Sequence, residues 1–123
     1  MDYDNWNELK KILSENEEKI YFSKGEIWFI SVGKNLGDEE DGKNQKFERP
    51  VLIIRKFNNN IFLGIPLTSK EKIGKYYFFL KSLSSSAILS QIRLFDSKRL
   101  IRKIGKIDSK ELLDIKNKVR EII

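Results

Sequence analysis

The sequence predicts a small barrel-like α+β domain. Three observations lead there. Five or six short runs rich in β-branched and aromatic residues follow one another between residues 26 and 104. A segment with helical spacing stands at each end of them. The chain has 123 residues, of which 40% are hydrophobic, enough for one modest core and too few for several domains or a TIM barrel. Short strands flanked by helices bury their apolar faces most economically in a barrel-like sheet with helices at its ends.

The elements are taken in chain order. Residues 4–20 read as a helix, with Asp4 as its cap and Trp6, Leu9, Leu13 and Ile20 near one face. Lys24-Gly25 breaks it. Residues 26–32, EIWFISV, read as a strand, and residues 33–48, with three glycines, as a long polar loop. Residues 51–57, VLIIRKF, form the next strand, and Asn58-Asn59-Asn60 turns the chain because Asn tolerates positive φ. Residues 61–67, IFLGIPL, form the third strand, with Pro66 expected at its end or edge. Residues 75–80 and 86–95 make the fourth and fifth strands. Residues 96–100 read as a turn or short helical segment, and residues 101–104 as a short last strand. Residues 109–122 close the chain as a helix, with Asp108 and Glu111 fitting a capping box and Leu112, Ile115, Val119 and Ile122 forming the apolar stripe. One domain is delimited on this reading, the barrel over residues 24–123, preceded by a helical extension over residues 1–23.

Composition removes several chemistries. The chain has no cysteine and no histidine, so thiolate zinc sites, cysteine nucleophiles, serine-histidine triads and histidine bases are absent. Arg, Lys, carboxylates and hydroxyls remain. The acidic run Asp38-Glu39-Glu40-Asp41 is a poor Mg²⁺ site, since four adjacent carboxylates in a loop rarely converge. No metal and no cofactor is expected. No apolar run approaches the roughly 20 residues of a membrane helix, and the N-terminus lacks the basic-then-apolar order of a secretory signal. A cytoplasmic protein is expected.

The net charge of +6 is unevenly spread. Residues 1–20 carry 3 basic and 6 acidic groups, whereas residues 69–106 carry 10 and 2. A basic stretch on an ordered domain points to a phosphate-bearing or otherwise acidic partner, although a solvated lysine-rich surface has the same composition. The acids at Asp38, Glu39, Glu40 and Asp41 could fold over such a surface and compete with phosphate, which makes them a candidate gating loop.

Three segments stand out together: Phe47-Glu48-Arg49-Pro50 before an apolar strand, Pro66-Leu67-Thr68-Ser69-Lys70 at the end of the next, and Ser90-Gln91-Ile92-Arg93-Leu94-Phe95-Asp96 followed by Arg99-Leu100. With Gly25-Glu26-Ile27-Trp28 before them and Ile104-Gly105-Lys106-Ile107 after, this ordered set resembles the MazF/PemK family of bacterial toxins over about residues 24–120. The resemblance implies an SH3-like barrel that forms a homodimer and a metal-independent endoribonuclease of a type II toxin–antitoxin system. It implies single-stranded RNA as substrate and an antitoxin as inhibitory partner. By motif matching it places the catalytic pair at Arg49 and Thr68.

The chemistry of the residues agrees. RNA supplies its own nucleophile, the 2′-OH, whose attack on the neighbouring phosphate gives a 2′,3′-cyclic phosphate and a 5′-OH. A guanidinium fork suits the charge that develops on the phosphate oxygens, and a threonine hydroxyl can reach a third. Arginine is a poor base, with a pKa above about 12, so a phosphate clamp is the reading for Arg49. Glu48 is a weak candidate base, expected to point the other way. Ser69, Lys70, Gln91 and Arg93 are candidate RNA-binding residues, with Gln91 and Arg93, two apart on the fifth strand, sharing a face. Each has a plainer reading: Arg49 as a surface arginine, Thr68 and Ser69 as loop residues, Gln91 and Arg93 as a polar strand face, Asp96 as a turn cap. Of Trp28, Phe29 and Tyr76 to Phe79, most are expected in the core rather than as stacking platforms.

Two departures from the family pattern are evident, the helical extension and Phe47-Glu48 before Arg49. Two other functions compete: a non-catalytic protein of the same barrel that binds gyrase, and a nucleic-acid-binding module without activity.

Overall fold

The computed structural model describes residues 20–31 and 48–123. The predicted helix up to residue 19 and most of the predicted polar loop, with Asp38, Glu39, Glu40 and Asp41, lie outside the described residues. Seven strands follow in chain order: β1 (Glu26–Ser31), β2 (Glu48–Lys56), β3 (Ile61–Thr68), β4 (Tyr77–Leu80), β5 (Ser85–Ile88), β6 (Arg93–Asp96) and β7 (Leu100–Lys106). One helix, α1 (Ser109–Ile122), ends the chain. Short 3₁₀ turns at Leu89–Gln91 and Ser97–Arg99 flank β6.

All seven strands join one antiparallel sheet, in the order β4-β5-β3-β2-β1-β7, with β6 also paired to β3. The α+β class and the antiparallel pairing agree with the sequence. Among the described residues the sheet does not close: the ladder runs open from β4 to β7, and it has seven strands rather than five or six. The extra strand comes from the predicted run 86–95, which divides into β5, a 3₁₀ turn and β6. Leu89 is fully buried at that break, and its N–H donates to the carbonyl of Tyr76 at 2.8 Å. On either side of it the chain pairs with the same strand, β5 with Leu67 and Thr68 of β3 and β6 with Ile61 to Gly64.

Alternation along β2 makes two cores from one strand. Leu52 and Ile54 face α1, where Ile27, Ile65, Leu67, Leu80, Leu112 and Ile115 pack with them. Val51 and Ile53 face the other way, into Phe22, Trp28, Ile30, Phe62, Phe95 and Leu100. The uninterrupted run Val51-Leu52-Ile53-Ile54 is what a strand covered on both faces requires. The rings of Phe62 and Phe95 stack at 5.5 Å in the second core, and Gly64 beneath them leaves the space they fill. A Cβ at Gly64 would come within 2.6 Å of Val51 Cγ1.

Local signals explain the turns. Gly25 takes φ +88°, open to glycine at no steric cost. The Asn58 side chain accepts the N–H groups of Asn60 and Ile61 at 2.7 and 2.9 Å. That turn is therefore held by the asparagine side chain and not by positive φ, which among non-glycine described residues occurs only at Ser84. Asp108 caps α1 through a 2.8 Å bond from the Glu111 N–H, as its sequence predicts, and Leu112 and Ile115 are buried with Val119 and Ile122 packed beside them.

Candidate functional site

The second core opens into a groove at one end of β2. Ile30, Val51, Pro66, Ile92 and Phe95 form its apolar floor, and Arg49, Gln91 and Arg93 stand around it. Its volume of about 330 Å³ lies at the small end of the range for ligand pockets.

Each position has a backbone cause. Arg49 lies in β2 opposite Ile30 of β1, two residues before Val51, so it continues the face that Val51 and Ile53 bury. Val51 is opposite Pro66. Pro66 was expected at an end or edge of its strand, yet it sits inside β3. The reason is a change of partner: β3 pairs with β2 up to Pro66 and with β5 from Leu67 onward. A residue without an N–H suits that junction. Thr68 ends β3 within the strand, half-buried. Thr68 lies two residues past Pro66, where β3 has left β2, and is opposite Ser86 of β5. Thr68 does not line the groove itself; its Oγ1 accepts the Lys70 N–H at 3.3 Å. Ser69 and Lys70 follow, exposed.

Gln91 and Arg93 both reach the groove, but not as neighbours on one strand. Gln91 ends the 3₁₀ turn and Arg93 begins β6. Arg93 is opposite Gly64, and its guanidinium lies 5.0 Å from the centre of the Phe95 ring, a cation–π contact. Glu48 turns away, as expected: its carboxylate is 3.6 Å from the guanidinium of Arg102, which itself lies 4.5 Å over the Phe29 ring. No carboxylate lines the groove among the described residues. Asp96 caps the following turn through the Lys98 N–H at 2.8 Å and takes no part in the groove. Of the aromatics, Trp28 is buried and Tyr76 is exposed.

Sequence reasoning missed the floor. Ile30, Val51 and Phe95 read only as core residues, although the alternation that places Val51 on the Arg49 side of β2 was available. It also missed Arg102 as the partner of Glu48.

The arrangement can hold one flat apolar or aromatic group on its floor while two guanidinium groups meet an anion at its rim. The described residues carry 18 Lys and Arg against 8 Asp and Glu, so the surrounding field favours an anionic ligand. No group of three or more His, Cys, Asp or Glu among the described residues is placed to hold a metal ion. No described helix is long and apolar enough to cross a membrane.

The model of a family described as PemK-like, MazF-like toxin of type II toxin–antitoxin system matches residues 23–123. Among solved structures, an endoribonuclease in complex with its cognate antitoxin from a mycobacterial species aligns at a TM-score of 0.64 and 11% identity, covering 82% of this chain and 93% of that one. MazF from Deinococcus radiodurans aligns at 0.64 and 18% identity, covering 84% and 96%. At those identities the likeness is one of fold. Among curated proteins none matches the chain.

Proposed function

The chain belongs to the PemK-like, MazF-like family of toxins of type II toxin–antitoxin systems, and from that premise we propose that it is an endoribonuclease that cuts single-stranded RNA without a metal ion. The observation that carries the reading is Arg49 at the rim of an apolar-floored groove, flanked by Gln91 and Arg93. A base lies on the floor, and the adjoining phosphate meets Arg49. The 2′-oxygen attacks phosphorus, the bond from phosphorus to the 5′-oxygen breaks, and the products are a 2′,3′-cyclic phosphate and a 5′-OH. The proton lost by the 2′-OH is matched by the one gained at the 5′-oxygen.

Arg49 stabilises the charge that builds on the phosphate oxygens, and the Thr68 hydroxyl, two residues past the groove residue Pro66, reaches a further oxygen. Proton transfer is not assigned to either. Glu48 is not given that role either, since its carboxylate lies 3.6 Å from the guanidinium of Arg102. Ser69, Lys70, Gln91 and Arg93 bind the RNA. The protein is cytoplasmic and acts as a homodimer. An antitoxin inhibits it by laying an acidic segment along the same basic surface. Asp38, Glu39, Glu40 and Asp41 gate that surface. Residues 1–23 are an extension that precedes a catalytic domain over residues 24–123.

The test is to incubate the full chain with a long single-stranded RNA in excess EDTA and map the ends, beside Arg49→Ala and Thr68→Ala. Discrete cuts with cyclic-phosphate and 5′-OH ends, lost in both variants, are expected. Intact RNA with folded protein would overturn the reading in favour of a binding protein.

A further inference from the structure

Glu26 and Ser86 are the buried polar side chains among the described residues. Glu26 closes one end of the second core. Ser86 has a different setting. It lies on β5 opposite Thr68, with none of its surface exposed. Its Oγ accepts the N–H of Lys72 at 3.0 Å, reaching across 14 residues of chain. Lys72 belongs to the loop 69–76, between β3 and β4.

That loop is fastened at three points. Thr68 Oγ1 takes the Lys70 N–H at its start, Ser86 takes the Lys72 N–H in its middle, and the Gly74 carbonyl takes the Tyr77 N–H at 3.2 Å at its end. Gly74 adopts φ +144° there. An exposed loop without a function gains little from a fully buried hydroxyl, because burying an unpaired hydroxyl is costly and the pairing fixes one geometry. The side chains so held are mostly cationic. Lys70, Lys72 and Lys75 are exposed, with Glu71 as the one acid among them. No carboxylate among the described residues pairs with these lysines. The Lys75 ammonium lies 5.4 Å from the centre of the exposed Tyr76 ring. Unpaired lysines beside an exposed aromatic ring are the elements with which proteins track single-stranded nucleic acid.

We infer that residues 71–76 extend the RNA-binding surface beyond Ser69 and Lys70, as an arm on which Lys72 and Lys75 hold backbone phosphates beyond the cleavage point and Tyr76 offers a face to a base. Ser86 is its positioning residue, locking the arm to the strand that faces Thr68. The inference rests on the endoribonuclease reading, since it continues the path from Arg49 past Thr68 with the same substrate.

The experiment measures binding of a 2′-O-methylated single-stranded RNA, which lacks the nucleophile, to the full chain by fluorescence anisotropy between 50 and 200 mM salt. Each phosphate contact to a single strand contributes about 0.7 to the slope of log affinity against log salt. Lys72→Gln/Lys75→Gln should therefore lower the slope by about 1.4. Lys110→Gln, on α1 and paired with Asp114, should leave it where it was. Ser86→Ala should lower the slope while keeping both lysines, and the Lys72 amide should exchange with solvent at least tenfold faster. A slope in the double lysine variant equal to wild type would overturn the arm. A wild-type slope and a protected Lys72 amide in Ser86→Ala would overturn the positioning role. If Ser86→Ala fails to fold, the two surface lysines still decide the matter. Absence of any RNA binding by the wild-type chain would overturn the endoribonuclease reading itself, an outcome distinct from binding with an unchanged slope.

Discussion

The indole N–H of Trp28 donates to the carboxylate of Glu26 at 3.0 Å, two residues away on the same face of β1. The same Oε1 accepts the Ser23 N–H, and the Lys103 ammonium stands 3.3 Å from Oε2. Burial pushes the Glu26 carboxyl up, but the bonds from Trp28, Ser23 and Lys103 together outweigh it. The pKa falls below its ordinary value of 4.5. A carboxyl whose pKa is lower folded than unfolded contributes stability above the unfolded value. That stability is lost as pH falls through the folded value. Glu26→Gln should cost about 1.5–3 kcal/mol at pH 7, the range for hydrogen bonds to a charged group. Urea denaturation should show the gap between variant and wild type narrowing below about pH 4.5. A constant gap at all pH values would assign the loss to packing.

Gly64→Ala should destabilise the chain by about 1–3 kcal/mol through overpacking. The added methyl meets Val51 at 2.6 Å and the rings of Phe62 and Phe95 at 3.1 Å, and β2 and β6 hold those side chains from both sides. Val51 and Phe95 also floor the groove, so RNA affinity should fall along with the melting temperature. Full stability in the alanine variant would mean that the rings have room to move.

Lys116 of α1 sits among cations. Burial depresses its pKa first, and Lys24, Arg120 and Arg55 depress it further. A lysine whose pKa is lower folded than unfolded opposes folding at neutral pH, because the unfolded chain holds the proton more tightly. Lys116→Gln should therefore raise the melting temperature by a few degrees in low salt and by less in high salt, where screening already relieves the repulsion. An equal gain at all salt concentrations would assign the effect to burial of the ammonium and not to repulsion from its neighbours.

The fold was legible where periodicity and capping speak locally. The helix from Ser109 to Ile122, its Asp108 cap and its apolar stripe follow from the residues alone. So do the cores of β1, β2 and β3. What the sequence hides is set by partners far along the chain. Pro66 is interior because β3 changes neighbours beside it, and nothing near residue 66 announces that. The break at Leu89 depends on a buried contact beside Tyr76, so Gln91 and Arg93 look like strand neighbours in the sequence and are not. Arg49, Gln91 and Arg93 could still be picked out as candidates, since the ordered motifs carry them. Their common groove could not, because its floor is built from residues that read as ordinary core.

Arg49→Lys separates charge from geometry at the proposed reaction centre. Both side chains are cationic at neutral pH, and both can reach an anion at the rim of the groove. Only the guanidinium presents two parallel N–H groups to two oxygens at once; an ammonium acts as a point charge on a flexible stem. If Arg49 serves only the field around the groove, lysine should preserve both RNA affinity and rate. If it clamps the phosphate as charge develops, lysine should keep most of the binding. The cleavage rate should then fall on the order of 10²-fold, as when one preorganised donor to a developing oxyanion is removed. Single-turnover cleavage beside equilibrium binding of the 2′-O-methylated RNA reads the two effects separately. A lysine variant that cuts at the wild-type rate would reduce Arg49 to a binding residue and move the search for transition-state donors to Thr68, Gln91 and Arg93.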